Sequence, residues 1–504
     1  MSSISRMAGG DAGFLYMETP STHMHTLKIA VLEPSSDNTF ERLIEMMTER
    51  LRLLPPMRRR VVPVPFALHH PVLVTQRQID PARHFFRHDI GGAGTMRDLE
   101  RLIGEICSTP LDRSVPLWEL HLCEGLADGK VAIVGKIHHA MADGLAANAM
   151  LANVMDVSST DLRTSVRTEA TEGVDDPSRS LLVRHALRDG ARQLLDFPRL
   201  VASTVRRLAA VVRYRRRMDG SVPLPVKDAP RTSFNRPLTP RRSFATVTMP
   251  LADLKRVRAV HADIEGLTLN DVVLAVTSGA LRRWLDLHDE HPRSSLTAGV
   301  PVGLDAADIE PRLIGNNVSN LFTTLATDID DPAARLQEIS TTTRHAKAIS
   351  HRLGAALMEW SQFTPPAPFA ALVRAYSRLR GARLHASAFN VIVSNVPGPR
   401  ERVKIAGAQL ADVFSVGPLT EGIGLNVTVW SYVDRMNFSL LTCPDLLPDV
   451  EVLASFFPDA LAELLGEPEP DEAAEAVPEG QARQDQHDRH DQHGDHPHGD
   501  QESA

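Results

Sequence analysis

The sequence predicts an α/β protein of two folded halves, and three observations predict it. Its 504 residues exceed the size at which a single core usually splits, so two folded units are expected. Segments of strand-like alternation and of helical periodicity follow one another both in residues 1–155 and in residues 241–465. Between the halves, residues 156–240 shift first to a polar and then to an arginine-rich composition, as a connector does. Hydrophobic residues make up 43% and charged residues 23%, which supplies apolar material for sizeable cores and excludes a fibrous or wholly disordered chain.

The first half opens as α/β. Residues 26–32 (TLKIAVL) suit a strand, and residues 39–54 (TFERLIEMMTERLRLL) place apolar residues at helical spacing before the stop at Pro55 and Pro56. A second helix is expected over 96–107 (MRDLERLIGEIC). Two strands, 117–122 (LWELHL) and 130–139 (KVAIVGKIHH), follow around the turn Ala127-Asp128-Gly129 and are expected to pair as a hairpin.

In the connector, residues 180–217 carry many arginines among Leu, Val and Ala, which suits one or two helices. Arg184, Arg188 and Arg192 stand at helical spacing, with apolar surface from Leu181, Leu182, Ala186, Leu187, Leu194 and Leu195. Such a helix can lie on anionic lipid or pack on its own protein. Pro223, Pro225, Pro230, Pro237 and Pro240 then exclude a continuous helix.

The second half resumes with a strand at 242–249 and helices at 251–261 and 267–285 (LTLNDVVLAVTSGALRRWL), the latter with Asn270 placed as its cap. Strands are expected at 296–302, 319–325, 389–394 and 424–432. Beyond 466 the chain turns acidic and then His-rich, with nothing apolar to anchor it, so residues 466–504 are expected to be disordered.

Bulk properties narrow the function. The net charge of -8 excludes bulk nucleic-acid binding. Cys107, Cys123 and Cys443 are too few and too scattered for a disulfide framework or a metal site, so no metal is expected and a reducing cytoplasm fits. The N-terminal residues lack a basic segment followed by an apolar core, and no apolar run approaches the roughly 18 to 20 residues of a membrane span. If the protein meets a membrane or lipid droplet, it is therefore expected to do so from the surface.

The chemistry concentrates in residues 136–147, KIHHAMADGLAA. Strand alternation sends His138 and His139 to opposite faces, so one can enter a substrate site while the other packs behind. Acyl transfer to an alcohol needs a base near neutrality to take the hydroxyl proton, and histidine suits that task. Asp143 can brace the turn by a hydrogen bond or by pairing with a cation, and Gly144 permits a tight backbone where a helix begins.

HHAMADG matches an HHxxxDG motif, and its neighbours resemble the bacterial wax ester synthase/diacylglycerol acyltransferase family. The resemblance spans about residues 11–460 outside the connector. It includes PLDRSVPLWE at 110–119, Asn270-Asp271, GNNVSN at 315–320, DIDDP at 328–332, SNVPGP at 394–399 and GIGLN at 422–426. One block departs: where the family opens with a Pro-Leu-Ser-Pro-like segment, residues 6–15 read RMAGGDAGFL, keeping Asp11, Phe14 and Leu15.

The resemblance implies two chloramphenicol-acetyltransferase-like halves with a substrate channel between them. It makes His139 the general base, with His138, Asp143 and Gly144 in support. Pro116, Leu117 and Trp118 would form channel wall, and Asn270 and Asn395 would bind substrate, although a helix cap is an equal reading for Asn270. Acyl-CoA would be the co-substrate, with no prosthetic group. The acceptor would be diacylglycerol, giving triacylglycerol, with long-chain alcohols or a non-catalytic lipid-binding role as alternatives.

Overall fold

The computed structural model describes residues 4–36, 38–155, 173–218, 229–304, 312–353 and 356–467. The polar start of the connector and nearly all of the expected disordered tail lie outside the described residues.

The first part of the chain runs β1 (Ile4–Arg6), α1 (Gly9–Met17), β2 (His25–Leu32), α2 (Phe40–Arg50), β3 (Arg59–Val62), β4 (Val72–Thr75) and β5 (Phe85–Asp89). It continues with α3 (Met96–Ser108), β6 (Trp118–Glu124), β7 (Val131–His138) and α4 (Gly144–Val154). Among its described residues the connector contributes one helix, α5 (Arg179–Arg217). There follow β8 (Ser243–Pro250), α6 (Leu251–Val260), α7 (Leu269–Leu287), β9 (Thr297–Gly303), β10 (Val318–Thr324), α8 (Pro332–Leu353), α9 (Ala356–Ser361) and α10 (Pro366–Arg378). The last elements are β11 (Val391–Val396), β12 (Lys404–Ile405), β13 (Ala408–Val416), β14 (Leu425–Tyr432), β15 (Arg435–Thr442) and α11 (Val450–Leu465).

Two six-stranded sheets organise these elements, in the orders β12-β13-β2-β7-β6-β5 and β10-β9-β11-β14-β15-β8, with a small sheet β1-β4-β3 beside the first. The expected hairpin is present, β6 and β7 pairing antiparallel. The first sheet is not built from the first half alone. Strand β13, from far along the chain, pairs antiparallel with β2, Val416 opposite Leu27, so the second half completes the sheet of the first.

Helix α7 shows why its sequence is apolar on nearly every side: residues 271–281 are all buried, between the second sheet and helices α8 and α11. Its cap is Thr268, not Asn270. The Thr268 hydroxyl accepts from the Asp271 amide at 3.3 Å and Asp271 returns a bond to the Thr268 amide at 2.8 Å, so Asn270 falls inside the first turn. The connector forms a single helix through Pro198 because that proline sits on the solvent side, where water can satisfy the carbonyl one turn earlier.

Candidate active site

The two histidines separate as strand alternation requires. His138 ends β7 and is 1% exposed, whereas His139 begins the turn and is only partly covered. The turn is held from three sides. The His138 amide donates to Leu117 O at 3.0 Å, the His139 amide donates to Met24 O at 2.7 Å, and the Met141 amide closes on His138 O at 2.9 Å. Asp143 then caps α4, accepting from the Ala146 amide at 2.9 Å.

His138 is a structural pin. Its Nδ1 accepts from the Ala140 amide at 3.0 Å, so Nε2 carries the proton and donates to Glu18 at 3.0 Å. Burial pushes the Glu18 carboxyl up, but the His138 bond and the Arg113 guanidinium outweigh it and hold the group at about 2.

His139 faces partners from two other parts of the chain. Its Nδ1 lies 2.9 Å from Asn316 Oδ1, and its ring stacks on Phe14 at 4.3 Å between centroids. The Asn316 amide cannot be turned round, because its NH2 donates to Asp11 Oδ1 and to His139 O, both at 2.8 Å. Asn316 Oδ1 is therefore the acceptor, the imidazole proton is on Nδ1, and Nε2 presents the lone pair of a base. Asp11 also accepts the Asn316 backbone amide at 2.8 Å.

Asp143 ties this turn to the second sheet. It pairs with Arg312 and accepts the Asn317 amide at 3.0 Å. Ala142 and Gly315 form a parallel β-bridge, the Gly315 amide donating to Met141 O at 2.8 Å. The hydrogen-bonded pair is thus assembled across the two halves, with His139 from one and Asn316 from the other.

The electrostatics suit a base. Burial holds the His139 imidazole below its usual 6.5, against the pull of Asp143 and of its hydrogen bonds, so it is neutral at physiological pH. Burial pushes the Asp11 carboxyl up to about 6, despite its bonds from Asn316. We therefore expect kcat/KM to be flat above pH 7 and to fall below 6.5, where His139 takes a proton. Asp11 holds the Asn316 carboxamide that orients the His139 ring, so protonation of its carboxyl at about 6 should add to the fall, and Asp11→Asn should remove that contribution. An acid limb centred above 6.5 in a pH–rate profile would count against this assignment.

The other sequence-predicted residues are more dispersed. Pro116, Leu117 and Trp118 are buried in the core of the first half rather than exposed as a wall. Trp118 donates to Met57 O at 2.6 Å and stacks on His84, while Leu117 O holds the His138 amide, so the segment buttresses the histidine strand. Gly144 is the first residue of α4 in ordinary helical conformation, and an added Cβ would meet only Val396 Cγ2 at 3.5 Å. A tight turn is therefore not its role. Instead β11 approaches it, and Asn395 sits on that strand, opposite Val429. Neither Asn270 nor Asn395 is among the groups that hold the His139 ring, which are Asn316 and Phe14.

Sequence reading missed the part played by Asn316, Arg312, Asp11 and Glu18. The GNNVSN block and Asp11 stood out in the sequence, but nothing in the sequence indicates that residues 177 positions apart share a proton.

An apolar cavity lies on the same side of β7. Ile133, Gly135 and Ile137 alternate with the buried face, and His139 continues their parity. The cavity measures about 100 Å³ and opens to solvent, and Met46, Met47, Met150 and Ala147 also line it. Methionines there supply an adaptable apolar surface.

Fold and site together define a two-lobed acyltransferase of the HHxxxDG type, with the histidine turn bridged to the opposite lobe. Residues 7–273 match the model of the wax ester synthase/diacylglycerol acyltransferase catalytic domain, and residues 314–465 that of the WS/DGAT C-terminal domain. The chain belongs to this family. It is 38% identical over 463 residues to "Putative diacyglycerol O-acyltransferase Rv0221" of Mycobacterium tuberculosis H37Rv, covering 90% of this chain and 95% of that one. It is also 32% identical over 488 residues to the similarly named Rv1760 of the same strain, covering 96% and 93%.

Among solved structures, the wax ester synthase/diacylglycerol acyltransferase from Marinobacter aquaeolei VT8 superposes with a TM-score of 0.63 at 24% identity, over 91% of this chain and 98% of that one. A starter condensation domain of rhizomide synthetase, solved with C8-CoA, superposes at 0.52 with 14% identity, over 92% and 95%. Both show the shared two-lobed, chloramphenicol-acetyltransferase-like fold.

Proposed function

We propose that the chain moves a long-chain fatty acyl group from acyl-CoA to diacylglycerol, forming triacylglycerol, with His139 as the general base. The observation that carries this reading is the Asn316 carboxamide, whose oxygen accepts the Nδ1–H hydrogen bond and leaves Nε2 basic at a partly accessible position. Nε2 removes the acceptor's hydroxyl proton as the oxygen attacks the thioester carbonyl. The tetrahedral oxyanion then collapses, the C–S bond breaks, and the thiolate of CoA takes the proton back from the imidazolium. The step needs no covalent enzyme intermediate and no prosthetic group. The relatives' names favour diacylglycerol as acceptor. The name of the Marinobacter protein supports a second reading, wax ester formation on long-chain alcohols. Either acceptor is a lipid, so the enzyme would work peripherally at a membrane or droplet surface in the cytoplasm.

The direct test is release of free CoA thiol from palmitoyl-CoA, with diacylglycerol and hexadecanol as parallel acceptors. Faster release with diacylglycerol supports the first reading, faster release with hexadecanol supports the second, and none with either removes both.

We assign the acyl chain to the apolar cavity beside β7, which supports the long-chain preference. Along the strand, Ile137 to Ile133 leads away from His139 for roughly 7 to 20 Å, the length scale of a fatty chain. Gly135→Val places a branched side chain towards Leu120, which also lines the cavity. We expect kcat/KM for palmitoyl-CoA to fall by about tenfold while butyryl-CoA is unaffected. Equal losses for both donors would remove the cavity from the acyl path.

A further inference from the structure

Helix α5 holds the largest set of exposed apolar side chains in the described chain, and six of them are ordered, with Leu195 and Phe197 to either side. Leu187, Leu194, Val201, Val205, Leu208 and Val212 are all exposed, Leu194 at 77%. At 3.6 residues per turn these six positions fall on one narrow stripe along the helix. The side that packs on the protein is different: Leu182, Ala186 and Leu200 are buried, and Arg207 pairs with Glu359. Arg184, Arg188, Arg192, Arg199, Arg206 and Arg213 follow one flank of the stripe.

A second element meets the stripe at its N-terminal end. Phe66 is 88% exposed, the largest exposure of any big apolar side chain described, and borders Val183, Arg184 and Leu187. Its backbone is held at φ 58°, followed by Ala67 at 48°. That region is unfavourable for a bulky residue, so the surrounding structure holds an aromatic ring out into solvent at a cost.

We propose that α5 and Phe66 form a docking face for an anionic lipid surface, with the stripe and the phenyl ring in the acyl boundary and the arginines at the headgroups. Charge selects this occupant. The helix carries eleven arginines against two aspartates, in a chain whose net charge is -8. A second copy of the same helix would bring like charges together, whereas anionic headgroups neutralise them. The helix is too polar to cross a bilayer, as no described helix is long and apolar enough to do so, and about 58 Å of it can lie in the interface plane. The proposal deepens the reading that the acceptor is a lipid and rests on it for its purpose. The two fail separately, because docking is read by vesicle binding and transfer by CoA release.

The experiment uses the full chain and co-sedimentation with phosphatidylcholine vesicles, with and without phosphatidylglycerol. We expect binding to phosphatidylglycerol vesicles at least about tenfold stronger than to phosphatidylcholine alone, weakening with salt. Leu187→Gln, Leu194→Gln and Val201→Gln combined, or Phe66→Ser, should lower it by about tenfold. Arg188→Gln, Arg192→Gln and Arg199→Gln combined should abolish the lipid preference. All of these lie on the surface, so CoA release with a water-soluble alcohol should be unchanged and reports that each variant is folded. Absence of vesicle binding by the native chain, or undiminished binding by the variants, overturns the proposal. So does a dimer in sedimentation velocity that the glutamine variants dissociate while vesicles are ignored, which would assign the stripe to a second copy.

Discussion

His139→Ala is expected to lower acceptor-dependent release of CoA by about three orders of magnitude, within the range that removing a positioned base costs. The side chain is partly accessible and its loss leaves a small gap beside Phe14, so folding should be retained and KM little changed. The loss belongs in kcat, because the proton moves only as the carbon–oxygen bond forms. Steady-state CoA release with palmitoyl-CoA and the better acceptor measures it. Asn316 and Asp11 remain in the variant with their own bond intact, which isolates the base from the groups that orient it. A variant that keeps native turnover would remove His139 as the base while leaving family membership untouched.

The second large effect is expected at Asp143, for a different reason. Its carboxylate is 1% exposed and serves three partners at once: the helix amide of Ala146, the Arg312 guanidinium and the amide of Asn317. Asp143→Ala removes the carboxylate paired with Arg312, which keeps its bond to the Gly315 carbonyl, and takes the acceptor from the Ala146 and Asn317 amides, which should cost about 3 kcal/mol of stability. It should also lower kcat/KM by about a hundredfold, since the turn carrying His139 loses its tie to the opposite lobe. Asp143→Asn keeps an oxygen for the cap and should recover part of the stability but little of the pairing. Thermal denaturation and CoA release on the same preparations separate the two losses. Equal stability in Asp143→Ala and the native chain would show that the carboxylate does not hold the turn together.

Much of this architecture was legible because local pattern and tertiary role agreed. Residues 26–32 and 130–139 alternate, and they are neighbours in the first sheet. Residues 267–285 are apolar almost all round, and α7 is buried almost all round. Where several local signals competed, the reading failed. Asn270 and Thr268 are both good caps, and only the reciprocal bonds with Asp271 decide between them. Leu117 and Trp118 are apolar beside an active strand, which suits wall and core alike until the Trp118 indole is seen to donate to Met57.

The candidate histidine pair could be read from HHAMADG, but the orientation of the His139 ring could not. Asn316 reaches it from another sheet and Asp11 from the first helix, so the tautomer is a property of the folded chain. The connector was a similar case. Its arginines and leucines were plain in the sequence, yet which leucines would be covered depended on α8 and α9 packing against one side of α5.

Strand β13 has a consequence for anyone who would recombine or divide this protein. A fragment ending at the connector would keep β2 on β7 but strip β13 from its other side, presenting an edge of bare backbone donors and acceptors that invites aggregation. Chimeras between relatives should therefore graft residues 404–416 together with the N-terminal sequence, although more than 250 residues intervene. The protein reads as two modules along the chain, but it is inherited and engineered as one.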